Sequence, residues 1–126
     1  MILSPIPTNV LRAVNVVKQG GLIAYPTETV YGLGADPFNP EAIDRIFAAK
    51  GREGKKGIIL LIRGTNDLST LVRFISPTAQ ALIQAFWPGP LTLVFKAHLD
   101  LPATLLGGRK TIALRHSSSP ITSDLL

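Results

Sequence analysis

Residues 24–52 constrain the fold of this chain more than any other stretch. A short apolar run ends at Pro26 and gives way to a loop, residues 27–34, that is rich in hydroxyl groups and glycine. One helix of about ten residues is expected next, and two cations, Lys50 and Arg52, follow where that helix should end. A helical crossover of this kind returns the chain to the sheet edge where it started. We therefore expect the loop and the two cations to face each other across one cleft.

Length and composition indicate one globular domain, residues 1–126, with a real hydrophobic core. The hydrophobic content of 46% argues against disorder, and the longest aliphatic run, residues 58–62, is far too short to span a membrane. The first residues lack the basic and apolar regions of a secretory signal. The absence of cysteine excludes disulfides, thiolate catalysis and cysteine-ligated zinc, and it fits a cytoplasmic protein.

Helical and strand patterns alternate along the chain, which predicts an α/β fold with a parallel or mixed sheet. Asn39 and Pro40 are typical of a helix start, and Ser76-Pro77 opens another helix. The predicted helices cover residues 8–19, 39–50, 66–75 and 76–86, and the predicted strands cover residues 22–25, 58–62, 91–96 and 111–115. Residues 117–120 form a polar loop that is suited to cap one more helix.

The basic residues are unevenly distributed over a chain whose net charge is +5. Six of them fall in one short segment, opposed by Asp44 and Glu53: Arg45, Lys50, Arg52, Lys55, Lys56 and Arg63. Such a cluster predicts an anionic partner, namely a nucleotide, free phosphate or RNA. The alternative is a solvated lysine-rich loop without a partner.

Phosphate-binding signatures built on glycine are missing from this sequence. Gly32-Leu33-Gly34 lacks the third glycine of a dinucleotide fingerprint, and no Walker A pattern occurs. If phosphates bind, charged side chains must hold them, and Lys50 and Arg52 are suited to that task. The alternative is that both cations only favour a helix C-terminus, where they contribute roughly 0.3–1 kcal/mol.

Polar and aromatic residues of the loop have two interpretations each. Thr27, Glu28 and Thr29 are suited to bind a polar substrate at a strand end, or to form turns and caps. Tyr31 is suited to stack on a base or to join the core, whereas Tyr25, within a strand, is expected in the core.

Other chemistry-bearing residues give weak signals. The turn formed by Trp87-Pro88-Gly89-Pro90 is rigid and feeds a strand, and it either ends there or presents Thr92 at a cleft. His98 and His116 lack the spacing of metal ligands, so we expect no metal site built by the protein.

Together these segments resemble the YrdC-like family, the threonylcarbamoyl-adenylate synthases that begin t6A modification of tRNA. Four motifs carry the resemblance: Tyr25-Pro26-Thr27-Glu28-Thr29-Val30-Tyr31-Gly32-Leu33-Gly34, Lys50-Gly51-Arg52, Trp87-Pro88-Gly89-Pro90-Leu91-Thr92 and Thr111-Ile112-Ala113-Leu114-Arg115. The resemblance covers nearly the whole chain from residue 22 onward and implies a twisted, open, mixed sheet flanked by helices.

The resemblance implies an ATP-dependent synthesis with Mg²⁺. L-threonine and bicarbonate give an N-carboxylated threonine that attacks ATP, and threonylcarbamoyl-AMP and pyrophosphate result. Lys50 and Arg52 would be catalytic and would bind the nucleotide, with Lys55 and Lys56 extending the basic rim. The implied substrate-binding residues are Thr27, Glu28, Tyr31, Thr92 and Arg115.

Two departures from the family pattern leave alternatives open. Glu53 stands where the family usually has proline after Lys-x-Arg, and no Ser-x-Asn motif follows residues 111–115, so the domain is expected to be C-terminally short. The alternatives are a module that binds double-stranded RNA or tRNA, and a non-catalytic remnant or subunit that a partner chain completes. Proteins of the t6A pathway are the expected protein partners.

Overall fold

The computed structural model of the protein describes residues 1–51 and 57–126. Arg52, Glu53, Lys55 and Lys56, on which several of the predictions depend, lie outside the described residues. In chain order the helices and strands are α1 Pro7–Lys18, β1 Ile23–Pro26, β2 Tyr31–Gly34, α2 Pro40–Lys50, β3 Ile59–Leu61, α3 Leu68–Leu71, α4 Pro77–Phe86, β4 Leu93–Lys96, α5 Ala103–Leu106, β5 Thr111–Arg115 and α6 Pro120–Leu125.

Strands β1 and β2 form an antiparallel hairpin in which Tyr25 pairs with Gly32. The sequence predicts a loop for residues 27–34, and that prediction is wrong for β2, residues 31–34. One of the glycines that favour a loop has a packing reason in the hairpin, because a Cβ on Gly34 would lie 2.7 Å from the ring of Tyr25. Only a residue without a side chain lets that ring lie across the neighbouring strand.

The other three strands form a second sheet in the order β3–β5–β4. Strand β3 runs parallel to β5 and β4 runs antiparallel to it, so the predicted mixed sheet is confirmed. The predicted return of the chain to its starting sheet is wrong, because α2 leads from the hairpin into β3 of the other sheet. The cleft described below therefore lies between two sheets.

Helix α2 begins and ends where the sequence predicts. The Asn39 side chain accepts hydrogen bonds from the backbone N–H groups of Glu41 and Ala42, and Gly51 ends the helix with a left-handed φ of 63°. Its apolar face is buried. This burial fixes the last turn of α2 and with it the position of Lys50.

The hydrophobic core lies around β5. Leu114 is fully buried and Ile112 is 3% exposed. The residues of β5 that alternate with them are more accessible, as expected of a strand with one covered face. The core cluster also takes residues from the neighbouring elements, namely Ile62, Leu68, Leu71, Val72, Ile83, Phe95, Ala97, Leu105 and Leu106.

Two helix starts that the sequence predicts from serine caps are confirmed. Ser76 accepts a hydrogen bond from the Ala79 N–H at the start of α4, and Ser119 accepts one from the Thr122 N–H at the start of α6. Helix α1, predicted from residue 8, begins at Pro7 and has no capping side chain. The fixed φ of proline suits the first helical position even without a capping side chain.

Other predicted elements are shorter than their apolar patterns imply. The stripe that ends at Ile75 predicts one long helix, but α3 ends at Leu71 because Val72 turns extended and bridges to Ala97. Strand β3 is shorter than the predicted strand of residues 58–62, and its Ile59 is 52% exposed. Helix α5 has only four residues and was not predicted. Within residues 1–51 and 57–126, no helix is long and apolar enough to span a bilayer.

Candidate substrate-binding cleft

A cleft of about 500 Å³ lies between the β1–β2 hairpin and the edge of the second sheet. Thr27, Thr29 and Tyr31 line it from the hairpin, Lys50 from the end of α2, and Arg115 from the end of β5. The segment of residues 57–61 forms another wall. The structure thus brings the predicted loop, one of the two predicted cations and the predicted arginine to one cavity.

The hairpin loop, residues 27–30, is held by its own hydroxyl groups. Thr27 Oγ1 donates to the Val30 carbonyl over 2.6 Å and accepts the Thr29 N–H over 3.2 Å. The two threonine hydroxyl oxygens are 3.1 Å apart. The turn-forming interpretation of Thr27 therefore describes its contacts in the structure, and Thr29 remains exposed at the cleft.

Glu28 and Arg115 form a largely buried ion pair behind this loop. Arg115 donates to Glu28 Oε1 from Nη2 over 2.9 Å and from Nε over 3.2 Å. The two side chains are 13% and 16% exposed, and Nη2 of Arg115 also donates to Thr29 Oγ1 over 3.1 Å. Two predicted substrate-binding residues are thus bound to each other.

The segment that follows β5 makes a second set of hydrogen bonds to the hairpin. Ser117 Oγ donates to Oε2 of Glu28, and the hydroxyls of Ser119 and Thr122 donate to the Pro26 carbonyl over 3.3 and 3.1 Å. Sequence reasoning foresaw a helix cap in this segment but missed its contacts with the hairpin. The signal was three serines in a row directly after a predicted strand end.

The pKa values of two groups shift at this site. The pKa of Glu28 is lowered overall. Burial raises it, but this effect is outweighed by hydrogen bonds from Ser117, from the backbone of Glu28 and from Arg115, together with the charge of Arg115. Burial raises the pKa of Tyr25 and the charge of Arg115 partly opposes that rise. Glu28 is therefore ionised and Tyr25 neutral at pH 7.

The remaining predicted residues differ in their relation to the cleft. Lys50 and Tyr31 are exposed at its walls, Tyr31 by 75%. Thr92 is half-buried and is not among the residues that line the cleft. The nucleotide-binding roles of Arg52, Lys55 and Lys56 fall outside the described residues.

The turn at Trp87 supports the end of β5 from behind. The Trp87 indole N–H donates to the Leu91 carbonyl over 2.7 Å, and the Gly89 N–H donates to the His116 carbonyl over 2.8 Å. The ring of His116 also meets the indole edge to face, with 6.4 Å between centroids. The predicted rigid turn therefore braces the residue that follows Arg115.

Metal-binding side chains do not gather in the described part of the chain. No group of three or more His, Cys, Asp or Glu residues in residues 1–51 and 57–126 is arranged to hold an ion. Within the described residues, the charged side chains that line the cleft are those of Lys50 and Arg115, and Arg115 is paired with Glu28. The cleft is therefore suited to anionic or zwitterionic ligands.

A mixed α/β domain with a cleft beside its strand ends, lined mainly by apolar residues with a few polar groups, belongs to a class of α/β folds that commonly hold small ligands in such clefts. Within that class, residues 15–126 match the model of the Sua5/YciO/YrdC family, whose description is "Telomere recombination". The chain belongs to this family. The predicted resemblance is thereby confirmed.

Curated relatives carry the name threonylcarbamoyl-AMP synthase. The relative from Halorhodospira halophila is 40% identical over 119 residues, which are 94% of this chain and 62% of the relative. The relative from Coxiella burnetii is 43% identical over 113 residues, 90% of this chain and 61% of the relative. The chain thus spans about three fifths of the length of each of these two relatives.

Solved structures of the family share the fold. Pyrococcus abyssi Sua5 complexed with L-threonine has a TM-score of 0.90 at 38% identity and aligns with 95% of this chain and 35% of that protein. Escherichia coli YciO has a TM-score of 0.86 at 31% identity, with 98% and 60% covered. The predicted YrdC-like fold class is confirmed.

Proposed function

We propose that this chain forms the threonine- and nucleotide-binding part of a threonylcarbamoyl-AMP synthase. The observation that carries the proposal is the single cleft lined by Thr27, Thr29, Lys50 and Arg115. Family membership, the names of the curated relatives and the complex of Sua5 with L-threonine support it. The product would serve t6A modification of tRNA.

The reaction joins three substrates in two steps. The amine of L-threonine attacks bicarbonate, and a carbamate forms with loss of water. A carbamate oxygen then forms a bond to the α-phosphorus of ATP while the bond from that phosphorus to the bridging oxygen breaks, so threonylcarbamoyl-AMP and pyrophosphate result. Both reactants of the second step are anions, and cations must bring them together and stabilise the charge that develops at phosphorus.

The described residues divide this work between the two ends of the cleft. Lys50 at the end of α2 would hold phosphate oxygens, with Arg52, Lys55 and Lys56 as further predicted contacts. At the other end of the cleft, Nη1 of Arg115 makes no hydrogen bond to any of the described residues. This group is therefore suited to bind a carboxylate.

The remaining substrate contacts are assigned by position. Thr27 and Tyr31 would shape the pocket for threonine directly, and Glu28 would act by holding Arg115. Thr29 offers an additional exposed hydroxyl. Thr92, which does not line the cleft, would act only if the turn that precedes it moves toward the substrate.

Mg²⁺ would enter with the nucleotide. This ion is commonly bound by one or two carboxylates together with substrate phosphates, and the described residues offer no cage of their own. It would neutralise charge on the triphosphate as it binds. Lys50 and Arg52 would complement that charge from the protein side.

Pyrophosphate release is the direct test. The purified protein with Mg·ATP should release pyrophosphate only when both L-threonine and bicarbonate are present, and reactions in CO₂-free buffer or without threonine serve as controls. Calorimetric titration with L-threonine tests the binding half separately. If the protein shows no turnover and also does not bind L-threonine, the proposal is contradicted.

RNA binding is the second candidate function, and it is argued from the charge of the chain rather than from the cleft. Its basis is the net charge of +5 and the basic segment, much of which lies outside the described residues. Binding of tRNA or double-stranded RNA through phosphates must weaken steeply as salt increases. A titration at two salt concentrations that shows no such dependence would contradict it.

A further inference from the structure

Three hydroxyl-bearing residues and one arginine fasten the hairpin to the segment after β5, and we call this set of contacts the polar latch. It joins the Pro26 carbonyl and the Glu28 carboxylate to Arg115, Ser117, Ser119 and Thr122. The latch spans about ninety positions of sequence, so local propensity does not account for it. Its members come from the end of β1 and the hairpin loop on one side, and from the end of β5 and the segment that follows it into α6 on the other.

Ser117 occupies the central position of the latch. The residue is 4% exposed, its hydroxyl donates to Oε2 of Glu28, and the same oxygen accepts the Ser119 N–H over 3.1 Å. The amide must be the donor, so the proton of the Ser117 hydroxyl is directed at the carboxylate. Glu28 then accepts on both oxygens, Oε2 from Ser117 and Oε1 from Arg115.

The consequence for Arg115 is a fixed orientation. With Nε and Nη2 on the carboxylate and Nη2 also on Thr29 Oγ1, the guanidinium plane is held against the hairpin loop. Arg115 lines the cleft, and its Nη1 group takes no part in these three hydrogen bonds. An arginine without this support would lose rotamer freedom each time it bound a ligand, which weakens binding.

We propose that Ser117 is a positioning residue for threonine binding, which holds Glu28 so that Glu28 fixes the Arg115 guanidinium and the hairpin loop in the orientation that receives the amino acid. This inference rests on the proposed function for the identity of the ligand. In this role neither Ser117 nor Glu28 touches the amino acid, and both act through Arg115 and Thr29.

The test compares Ser117→Ala with Ser118→Ala. Ser118 is its exposed neighbour and makes no recorded side-chain hydrogen bond within the described residues, so it is the matched control. We expect Ser117→Ala to bind L-threonine about tenfold more weakly, because a hydrogen bond to a charged group is lost, and Ser118→Ala to bind like the wild type. Equal affinity of Ser117→Ala and wild type would overturn the inference.

A pH series supplies a readout that a merely structural role would not change. Without the Ser117 hydrogen bond, one of the contributions that lower the pKa of Glu28 is lost, so the pKa rises relative to that in the wild type. Arg115 is the charged group that acts on Glu28, and Arg115 also acts on the phenol of Tyr25. We expect L-threonine binding by Ser117→Ala to weaken at a higher pH than in the wild type as the solution is acidified, and an unshifted profile would overturn the inference.

Two further measurements separate the latch from the proposed function and from misfolding. The Nε–H signal of Arg115 in a ¹H–¹⁵N spectrum should exchange slowly in the wild type and in Ser118→Ala and rapidly in Ser117→Ala, whether or not threonine binds. If the wild type binds no L-threonine, the proposed function fails, and this signal alone then decides the latch. If Ser117→Ala does not fold, Glu28→Gln should show the same weaker binding, and wild-type affinity in Glu28→Gln would overturn the inference.

Discussion

Nη2 of Arg115 lies 2.9 Å from Oε1 of Glu28, although 87 residues separate them in sequence. The contact joins the two sheets of the molecule, because Glu28 belongs to the loop of the β1–β2 hairpin and Arg115 ends β5. A two-stranded hairpin is marginally stable by itself. The ion pair and its neighbouring hydroxyls therefore hold the loop that lines the cleft.

Removal of one partner of this pair should cost more stability than removal of both. Arg115→Met leaves a buried carboxylate without its cation, and we expect the free energy of unfolding to fall by about 3 kcal/mol at pH 7. The double variant Arg115→Met with Glu28→Gln should recover part of this loss. Urea denaturation of the four proteins of the cycle measures both effects, and additive losses would contradict a coupled pair.

Acidification should weaken the wild type through Glu28. Its pKa in the folded protein is lower than the ordinary value of 4.5, so the ionised form stabilises the fold. This stabilisation is fully present above about pH 4.5 and is lost as the pH falls through the lower pKa of the folded state. Glu28→Gln removes the titrating group, so its stability should change less than that of the wild type between pH 5 and pH 2. Thermal unfolding across that pH range checks the prediction, and parallel curves would contradict it.

The cap of α2 should contribute measurably to stability. Asn39 Oδ1 accepts N–H groups of Glu41 and Ala42 over 3.1 and 3.2 Å. We expect Asn39→Ala to lower the free energy of unfolding by about 1 kcal/mol and Asn39→Asp to retain it. Asn15→Ala, on the exposed face of α1, serves as the control. Chemical denaturation measures all three, and an equal effect at both asparagines would contradict the cap assignment.

Local sequence signals predicted the elements that depend on local chemistry. Asn39 and Ser76 were predicted as helix starts from their residue type and the proline that follows, and the polar loop of residues 117–120 was predicted to cap one more helix. The side chains of Asn39, Ser76 and Ser119 accept N–H groups at these helix starts. Strand β2 escaped prediction because its two glycines are typical of loops. One of them, Gly34, is required by the ring of Tyr25 on the opposite strand, which leaves no room for a Cβ.

The site was predictable only in part, because some of its contacts depend on how distant segments pack together. The sequence identified Thr27, Lys50 and Arg115, which line one cleft. It did not show that Arg115 is already bound to Glu28, because that contact depends on how the hairpin lies against β5. Ser117 was missed since its role comes from burial beside a carboxylate that is distant in sequence.

Lys50 should contribute to nucleotide binding through its place at the cleft. Lys18 offers a matched control, because each lysine is exposed at the last position of a helix but only Lys50 lines the cleft. Any favourable effect of a cation on the helix C-terminus is therefore common to both. We expect Lys50→Ala to weaken ATP binding about tenfold, as for the loss of one charge-assisted hydrogen bond, and Lys18→Ala to leave it unchanged. Calorimetric titration with Mg·ATP measures both, together with thermal unfolding to show that the two variants are equally folded. Equal ATP affinity of the two variants would mean that Lys50 only stabilises the end of α2, which is the alternative that its sequence context left open.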